Sequence, residues 1–218
     1  MRRIRGKQII ELPPAEFAGL AARYRGVVLD IGTGDGKHAL QLARQRPEEL
    51  IVGLDAAKDN LRKVSGRSDA ANLIFVWAAA EQLPPELTGI GELHVLMPWG
   101  SLLRGMLDDG SAMLDELASR CTPDARFLIT LNLHAWRPPV PEVGGHAEPT
   151  PESAMTDLAP GYARHGWRLG EARYLDDAGI AELATSWTRR LHSSRDRLAV
   201  LALAGVINPS AAAAAGRR

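Results

Sequence analysis

The octapeptide Asp30-Ile31-Gly32-Thr33-Gly34-Asp35-Gly36-Lys37 constrains this chain more than any other segment. It follows the apolar run Val27–Ile31 and leads into an amphipathic stretch, Gly36–Gln45, so the glycines mark a tight strand-to-helix turn. The same rhythm then repeats. Short apolar runs at Leu50–Asp55, Leu73–Ala78, Glu92–Met97, Arg126–Leu131, Arg168–Tyr174 and Leu198–Ala204 read as strands. Helical periodicity appears at Asp59–Val64, Ser111–Ser119 and Asp177–Thr185, with a further helix starting at Pro13-Pro14 and carrying Phe17, Leu20 and Ala21 on one face. Apolar strands alternating with amphipathic helices predict an α/β fold, a mostly parallel sheet of seven strands covered by helices on both faces. The first dozen residues alternate around Gly6-Lys7 and predict a β-hairpin ahead of it.

In such sheets ligands bind at the carboxyl ends of the strands, where this turn lies. Its spacing is G-x-G-x-G; a dinucleotide fingerprint would place a third glycine at position 37, which is lysine here. The spacing favours S-adenosylmethionine, which has no pyrophosphate to seat on the helix N-terminus, over NAD. Gly32 and Gly34 would let the backbone approach it. Asp30 is placed to hold the ammonium group of its methionine moiety, directly or through water, and Asp55, ending the second strand, to accept from its ribose hydroxyls. The third strand ends in Ala78-Ala79-Ala80-Glu81, where an adenine ring could lie on Ala79 and Ala80 beside the acid Glu81. Each acid could instead cap the helix that follows it. Three acids at consecutive strand ends favour a cofactor. The architecture is then that of a Rossmann-like class I methyltransferase.

The fourth strand ends in Leu96-Met97-Pro98-Trp99-Gly100, with Leu96 on the cofactor side. Enzymes that methylate exocyclic amines tend to carry Asp or Asn before Pro-Pro-aromatic at this place. Met97 stands there instead, which points to a ring nitrogen with its own lone pair, for which positioning suffices. Trp99 and Trp187 are then candidates to sandwich an extruded base. The alternative is that both are core aromatics, but Trp187 lies in Ser186–Arg197, a segment too polar for a core. Trp136, beside Arg137, reads as exposed; Trp77 and Trp167 read as packing residues.

Composition narrows the setting. The 218 residues, 45% hydrophobic and 24% charged, suit one domain over 1–209, with 210–218 reading as a disordered tail. A single cysteine, Cys121, excludes a disulfide framework, and no stretch is long and apolar enough for a membrane span, so a cytoplasmic protein is expected. The histidines have no ligand spacing, so no metal is expected. Net charge is zero, with 26 basic and 26 acidic residues, but the basic groups cluster: Arg2, Arg3, Arg5, Lys7, Arg23 and Arg25 at the start, and Arg189, Arg190, Arg195 and Arg197 near the end. Local charge is what a phosphate backbone meets. The Pro- and Gly-rich stretch 132–152 and the Arg-rich stretch 186–197 are expected to be functional loops.

Beyond the glycine turn, longer strings resemble the 16S ribosomal RNA adenine-N1 methyltransferases that confer kanamycin and apramycin resistance. They are His94-Val95-Leu96-Met97-Pro98-Trp99-Gly100-Ser101-Leu102-Leu103, Asn132-Leu133-His134-Ala135-Trp136-Arg137-Pro138 and Thr185-Ser186-Trp187-Thr188-Arg189-Arg190-Leu191. The resemblance runs end to end. It implies methyl transfer to N1 of adenine 1408 in the assembled 30S subunit, by a monomer. It implies Thr185 as a further cofactor contact, Trp99 and Trp187 as the base clamp, and Lys7, Arg190, Arg195 and Arg197 on rRNA phosphates. One segment departs from the pattern: family members carry a longer, lysine-rich linker where this chain has the short Val64–Asn72 with one arginine. Two other readings share the cofactor half, a methyltransferase acting on tRNA guanine or a small metabolite, and a degenerate fold serving as an RNA-binding module.

Overall fold

A computed structural model describes residues 1–66, 68–108, 112–137, 143, 145–183 and 199–209. The strands are β1 (Arg2–Arg5), β2 (Gln8–Glu11), β3 (Val27–Ile31), β4 (Leu50–Asp55), β5 (Leu73–Trp77), β6 (Ile90–Leu96), β7 (Cys121–Asn132), β8 (Trp167–Tyr174) and β9 (Val200–Ile207). The helices are α1 (Pro14–Ala21), α2 (Lys37–Gln45), α3 (Lys58–Ser65), α4 (Gly100–Leu107), α5 (Ala112–Arg120), α6 (Pro151–Ser153), α7 (Ala159–Arg164) and α8 (Asp177–Glu182). A π turn over Ala154–Leu158 joins α6 to α7 just ahead of Pro160, which has no N–H to continue an α-helical ladder.

The strands form one sheet in the order β2-β1-β5-β4-β3-β6-β7-β9-β8. β5, β4, β3, β6 and β7 run parallel, β9 is antiparallel to β7, and β8 is antiparallel to β9. Among the described residues the expected seven strands are therefore present, but the sheet has nine. The hairpin is not a separate appendage: β1 pairs antiparallel with β5, Ile4 opposite Phe75 and Arg3 opposite Val76, because Ile4 is apolar enough to be buried there. Gly6 makes the two-residue hairpin turn with a positive φ of 58°, a conformation glycine adopts without steric cost.

Both faces are covered. On one, α2 and α3 pack Leu42, Leu61 and Val64 onto Val28, Ile51 and Phe75. On the other, Phe17 of α1, Met106 of α4, Leu114 of α5 and Tyr162 of α7 join Leu29, Leu93 and Ile129. Trp167 is fully buried there, its Nε1–H donating to Leu114 O at 3.0 Å, as a packing residue should. Trp77 differs. It is half-buried near the surface, donating to Ala56 O at 3.1 Å beneath the Arg2 guanidinium, 4.0 Å from the ring centroid. Trp136 is half-buried rather than exposed, because its Nε1–H reaches His146 O at 2.9 Å.

Several of the described elements escape the sequence pattern. Helix α4 starts directly after Trp99 with no side-chain cap, and Pro98 and Gly100 disguise it as loop. A 3-10 turn over Leu133–Trp136, helix α6 and helix α7 lie in or just beyond a stretch that reads as irregular.

Candidate active site

The strand order reverses between β3 and β6, and parallel strands diverge there to leave a crevice at their carboxyl ends. A cleft of about 270 Å³ occupies that place. Its walls include Gly32 from the glycine turn, Asp55 from the end of β4, Ala80 and Glu81 from beyond β5, and Met97 and Trp99 from beyond β6. Residues scattered over almost seventy positions thus converge because four parallel strands end side by side.

Gly32 needs its missing side chain twice over: its φ is 69°, and a Cβ there would meet Leu102 Cδ2 at 2.9 Å. Gly36, at φ 68°, is the N-cap of α2, where a Cβ would strike Val64 and Phe75 at 2.8 and 2.9 Å. Behind the turn Asp30 is buried, its Oδ2 accepting from Thr33 Oγ1 at 2.5 Å. Burial pushes the Asp30 carboxyl up to about 6 despite that hydrogen bond. Asp55 accepts from two backbone donors, Gly34 N–H at 2.8 Å through Oδ2 and Ala57 N–H at 2.6 Å through Oδ1. It caps the chain beyond β4, as acids at strand ends can, and still faces the cleft.

Met97 has the left-handed φ of 48°, a strained conformation for a non-glycine residue. It is held there because its N–H donates to Thr130 O at 2.8 Å and lies 3.1 Å from Thr130 Oγ1, while Met97 itself is buried. The chain then turns out through Pro98, leaving Trp99 37% exposed at the cleft wall. That exposure separates it from the core tryptophan Trp167. Thr33 and Thr130 have no motif signature; their roles arise only where the chain folds back on Asp30 and Met97.

The remaining candidates divide. Gly34 serves through its N–H to Asp55. Ala79 is half-buried next to the lining residue Ala80, and Leu96 is buried against Ile180, Leu183 and Val200 rather than forming a wall of the cleft. Lys7 is exposed at the hairpin turn, far along the sheet, where Gly6 N–H donates to Ser65 Oγ at 3.0 Å and a cavity of about 630 Å³ separates the hairpin from the 64–72 linker. Thr185, Trp187, Arg190, Arg195 and Arg197 lie outside the described residues, as does the 210–218 segment. Cys121 is buried, which pushes its thiol up to about 12 and leaves it unsuited to nucleophilic work. No helix among the described residues is long and apolar enough to cross a membrane.

The chain matches, over residues 2–206, the model of the family described as NpmA, 16S rRNA (adenine(1408)-N(1))-methyltransferase. It is 57% identical over 216 residues to the 16S rRNA (adenine(1408)-N(1))-methyltransferase of Streptoalloteichus hindustanus, covering 96% of this chain and 100% of that protein. The crystal structure of the 16S rRNA methyltransferase KamB superposes with a TM-score of 0.91 at 57% identity, over 96% of this chain and 100% of the other. A variant of the enzyme from Catenulisporales acidiphilia, solved with the cosubstrate SAM, superposes with a TM-score of 0.85 at 32% identity, over 95% and 97% of the two chains.

Proposed function

Because the chain belongs to the 16S rRNA (adenine(1408)-N(1))-methyltransferase family, we propose how its own residues carry out that reaction. It is an S-adenosylmethionine-dependent enzyme that methylates N1 of adenine 1408 and confers resistance to aminoglycosides of the kanamycin and apramycin kind. The observation that carries the assignment of residues is the convergence of Asp55, Glu81 and Trp99 on one crevice at the strand ends, with Asp30 buried behind the glycine turn that forms part of its wall.

The cleft fits a cationic nucleoside: an acid stands at each of three consecutive strand ends, and the approach over Gly32 is open because no Cβ fills it. When bound, S-adenosylmethionine supplies a methyl group activated by its sulfonium. Asp30 pairs with the ammonium of the methionine moiety. Asp55 uses the lone pairs left free by Gly34 and Ala57 to accept from the ribose hydroxyls. Ala79 and Ala80 flank the adenine, with Glu81 at its edge. Thr185 completes the enclosure.

On the substrate side Trp99 stacks one face of the extruded adenine and Trp187 the other. N1 of the target presents a lone pair, so no residue has to accept a proton before attack. The protein's work is extrusion, orientation and exclusion of water. Lys7, Arg190, Arg195 and Arg197 neutralise phosphates of the rRNA, whose fold around adenine 1408 is complete only in the assembled 30S subunit. The enzyme acts as a monomer, one domain over 1–209, in the cytoplasm where that subunit resides.

The test is incubation of the purified protein with 30S subunits and radiolabelled cofactor, followed by reverse transcription across the decoding site. A single stop at adenine 1408 is expected. Label appearing in isolated tRNA or a small metabolite, with none in 30S subunits, would overturn the reading.

A further inference from the structure

Two histidines that sequence spacing leaves unconnected meet behind the cofactor crevice. His38, in the first turn of α2, and His94, on β6, are both buried, with ring centroids 5.0 Å apart. They belong to a chain of three contacts. His38 Nδ1 lies 2.9 Å from Leu183 O, His38 Nε2 lies 2.7 Å from His94 Nδ1, and His94 Nε2 lies 2.7 Å from Glu92 Oε1.

Counting protons fixes the charge of this chain. The Leu183 carbonyl can only accept, so His38 Nδ1 carries a hydrogen. Glu92 is ionised: burial alone would raise its carboxyl, but hydrogen bonds from His94 and Arg46, with their charges, hold it down to about 2. His94 Nε2 therefore donates to it. A third hydrogen must lie between the rings. Two neutral imidazoles hold two hydrogens, and three are required, so the pair carries one positive charge. Burial, then the neighbouring His94, drive the His38 imidazole down to about 3, so His38 is the neutral ring and the hydrogen count leaves the charge on the ring that faces Glu92.

That charge has a defined neighbourhood. Arg46 of α2 donates to Glu92 at 3.0 Å, and Arg126 of β7 also donates to Glu92. Arg173 of β8 and Glu182 of α8 border the same cavity of about 320 Å³ as the two rings, and Arg173 is paired with Glu171 at 2.9 Å. On the other side is Asp30. It stands opposite His94 in the parallel register of β3 and β6, one strand spacing of about 4.8 Å away. His94 lowers the Asp30 carboxyl, whereas Asp55 raises it.

The geometry points to His94 as a positioning residue for cofactor binding, whose imidazolium locks α2 to α8 through His38 and favours the ionised form of Asp30 on the next strand. This rests on Asp30 pairing with the cofactor's ammonium group. Helix α2 opens directly from the glycine turn, so the relay steadies the turn and charges the acid behind it with one shared proton.

The test is calorimetric titration of wild type, His94→Gln, Glu92→Gln and Asp30→Ala from acid to mildly alkaline pH, with two ligands. S-adenosylmethionine carries the ammonium group; 5′-methylthioadenosine lacks it. In wild type the affinity for S-adenosylmethionine falls on the acid side as Asp30 takes up its proton. His94→Gln is expected to weaken S-adenosylmethionine roughly tenfold at neutral pH and to move that fall to higher pH, while methylthioadenosine binds as before. Glu92→Gln, close in volume, withdraws the counter-charge, so it should resemble wild type in acid and His94→Gln near neutrality; it decides the question if His94→Gln does not fold. Equal weakening of both ligands at every pH would make the pair merely structural and overturn the proposal, as would unchanged affinities in both variants. Undiminished S-adenosylmethionine binding by Asp30→Ala would instead refute the underlying role of Asp30.

Discussion

Gly34 N–H donates to Asp55 Oδ2 at 2.8 Å, so the glycine turn after β3 is tied to the acid that ends β4. The acid most suited to a ribose is therefore also the anchor of the turn that admits the rest of the cofactor. Binding and local stability are linked through one carboxylate.

Asp55→Ala is expected to lose both at once. Gly34 and Ala57 N–H lose a charged acceptor, at a cost of about 1–3 kcal/mol, and cofactor affinity falls by at least about tenfold. Asp55→Asn, which keeps one acceptor oxygen, should recover part of the melting temperature but less of the affinity. Thermal melts and calorimetry on the two variants would contradict this if both behaved as wild type.

Asp30→Asn should separate the two properties. The buried carboxyl has its folded value near 6, above the ordinary 3.8, so the folded protein retains a proton that the unfolded chain releases between those values. The resulting stabilisation is complete below 3.8, is lost as pH rises to about 6, and leaves a cost at neutral pH of up to about 3 kcal/mol. Asparagine removes that cost, less whatever the weaker bond from Thr33 gives back. Melting temperature should rise near pH 7 and change little in acid, while cofactor affinity collapses. A variant less stable than wild type at neutral pH would show that the charge is compensated in the free protein.

Trp99→Ala should lose most methylation, roughly 10- to 100-fold, while retaining cofactor affinity and melting temperature. The residue is 37% exposed, and its role as N-cap of α4 uses no side-chain hydrogen bond, so it has less packing to lose than the fully buried Trp167. Phenylalanine should restore part of the rate through a smaller stacking face. A large fall in melting temperature with a proportionate fall in primer-extension stops would make Trp99 a structural residue.

Arg195→Glu or Arg197→Glu should weaken 30S binding and flatten its salt dependence while leaving cofactor affinity intact, since reversal opposes phosphate contacts. Filter binding across a salt series measures both. Wild-type affinity at all salt concentrations would reduce these arginines to solvated surface.

The parts legible in the sequence are those with local causes. β3 and β4 begin and end where Val27–Ile31 and Leu50–Asp55 predict, because parallel strands buried on both faces read as unbroken apolar runs closed by Gly or Asp. The acids at the strand ends were legible for the same reason: Asp30 is the last but one residue of its run, Asp55 the last, and Glu81 follows shortly after. Helix α4 was not, since Trp99 caps it with extended backbone and leaves no Ser, Thr, Asp or Asn to announce it. Nor was the His38–His94 relay: the residues are 56 positions apart and meet only because α2 lies over β6. Met97 was legible as an odd residue in its motif, but its positive φ comes from Thr130, on the next strand.

The hairpin has a consequence for the molecule in a crowded solution. Leu73-Ile74-Phe75-Val76-Trp77 is a five-residue apolar strand with no charge and no proline, the composition that stacks readily against copies of itself. With β1 laid along it, the outermost strand is the short Gln8–Glu11, which ends in an acid and leads into Pro13 and Pro14. A four-residue margin of that kind is a poor template for intermolecular cross-β growth. The basic N-terminal strand thus also acts as a selvedge, binding off the β5 side of the sheet, which would otherwise end on that apolar strand.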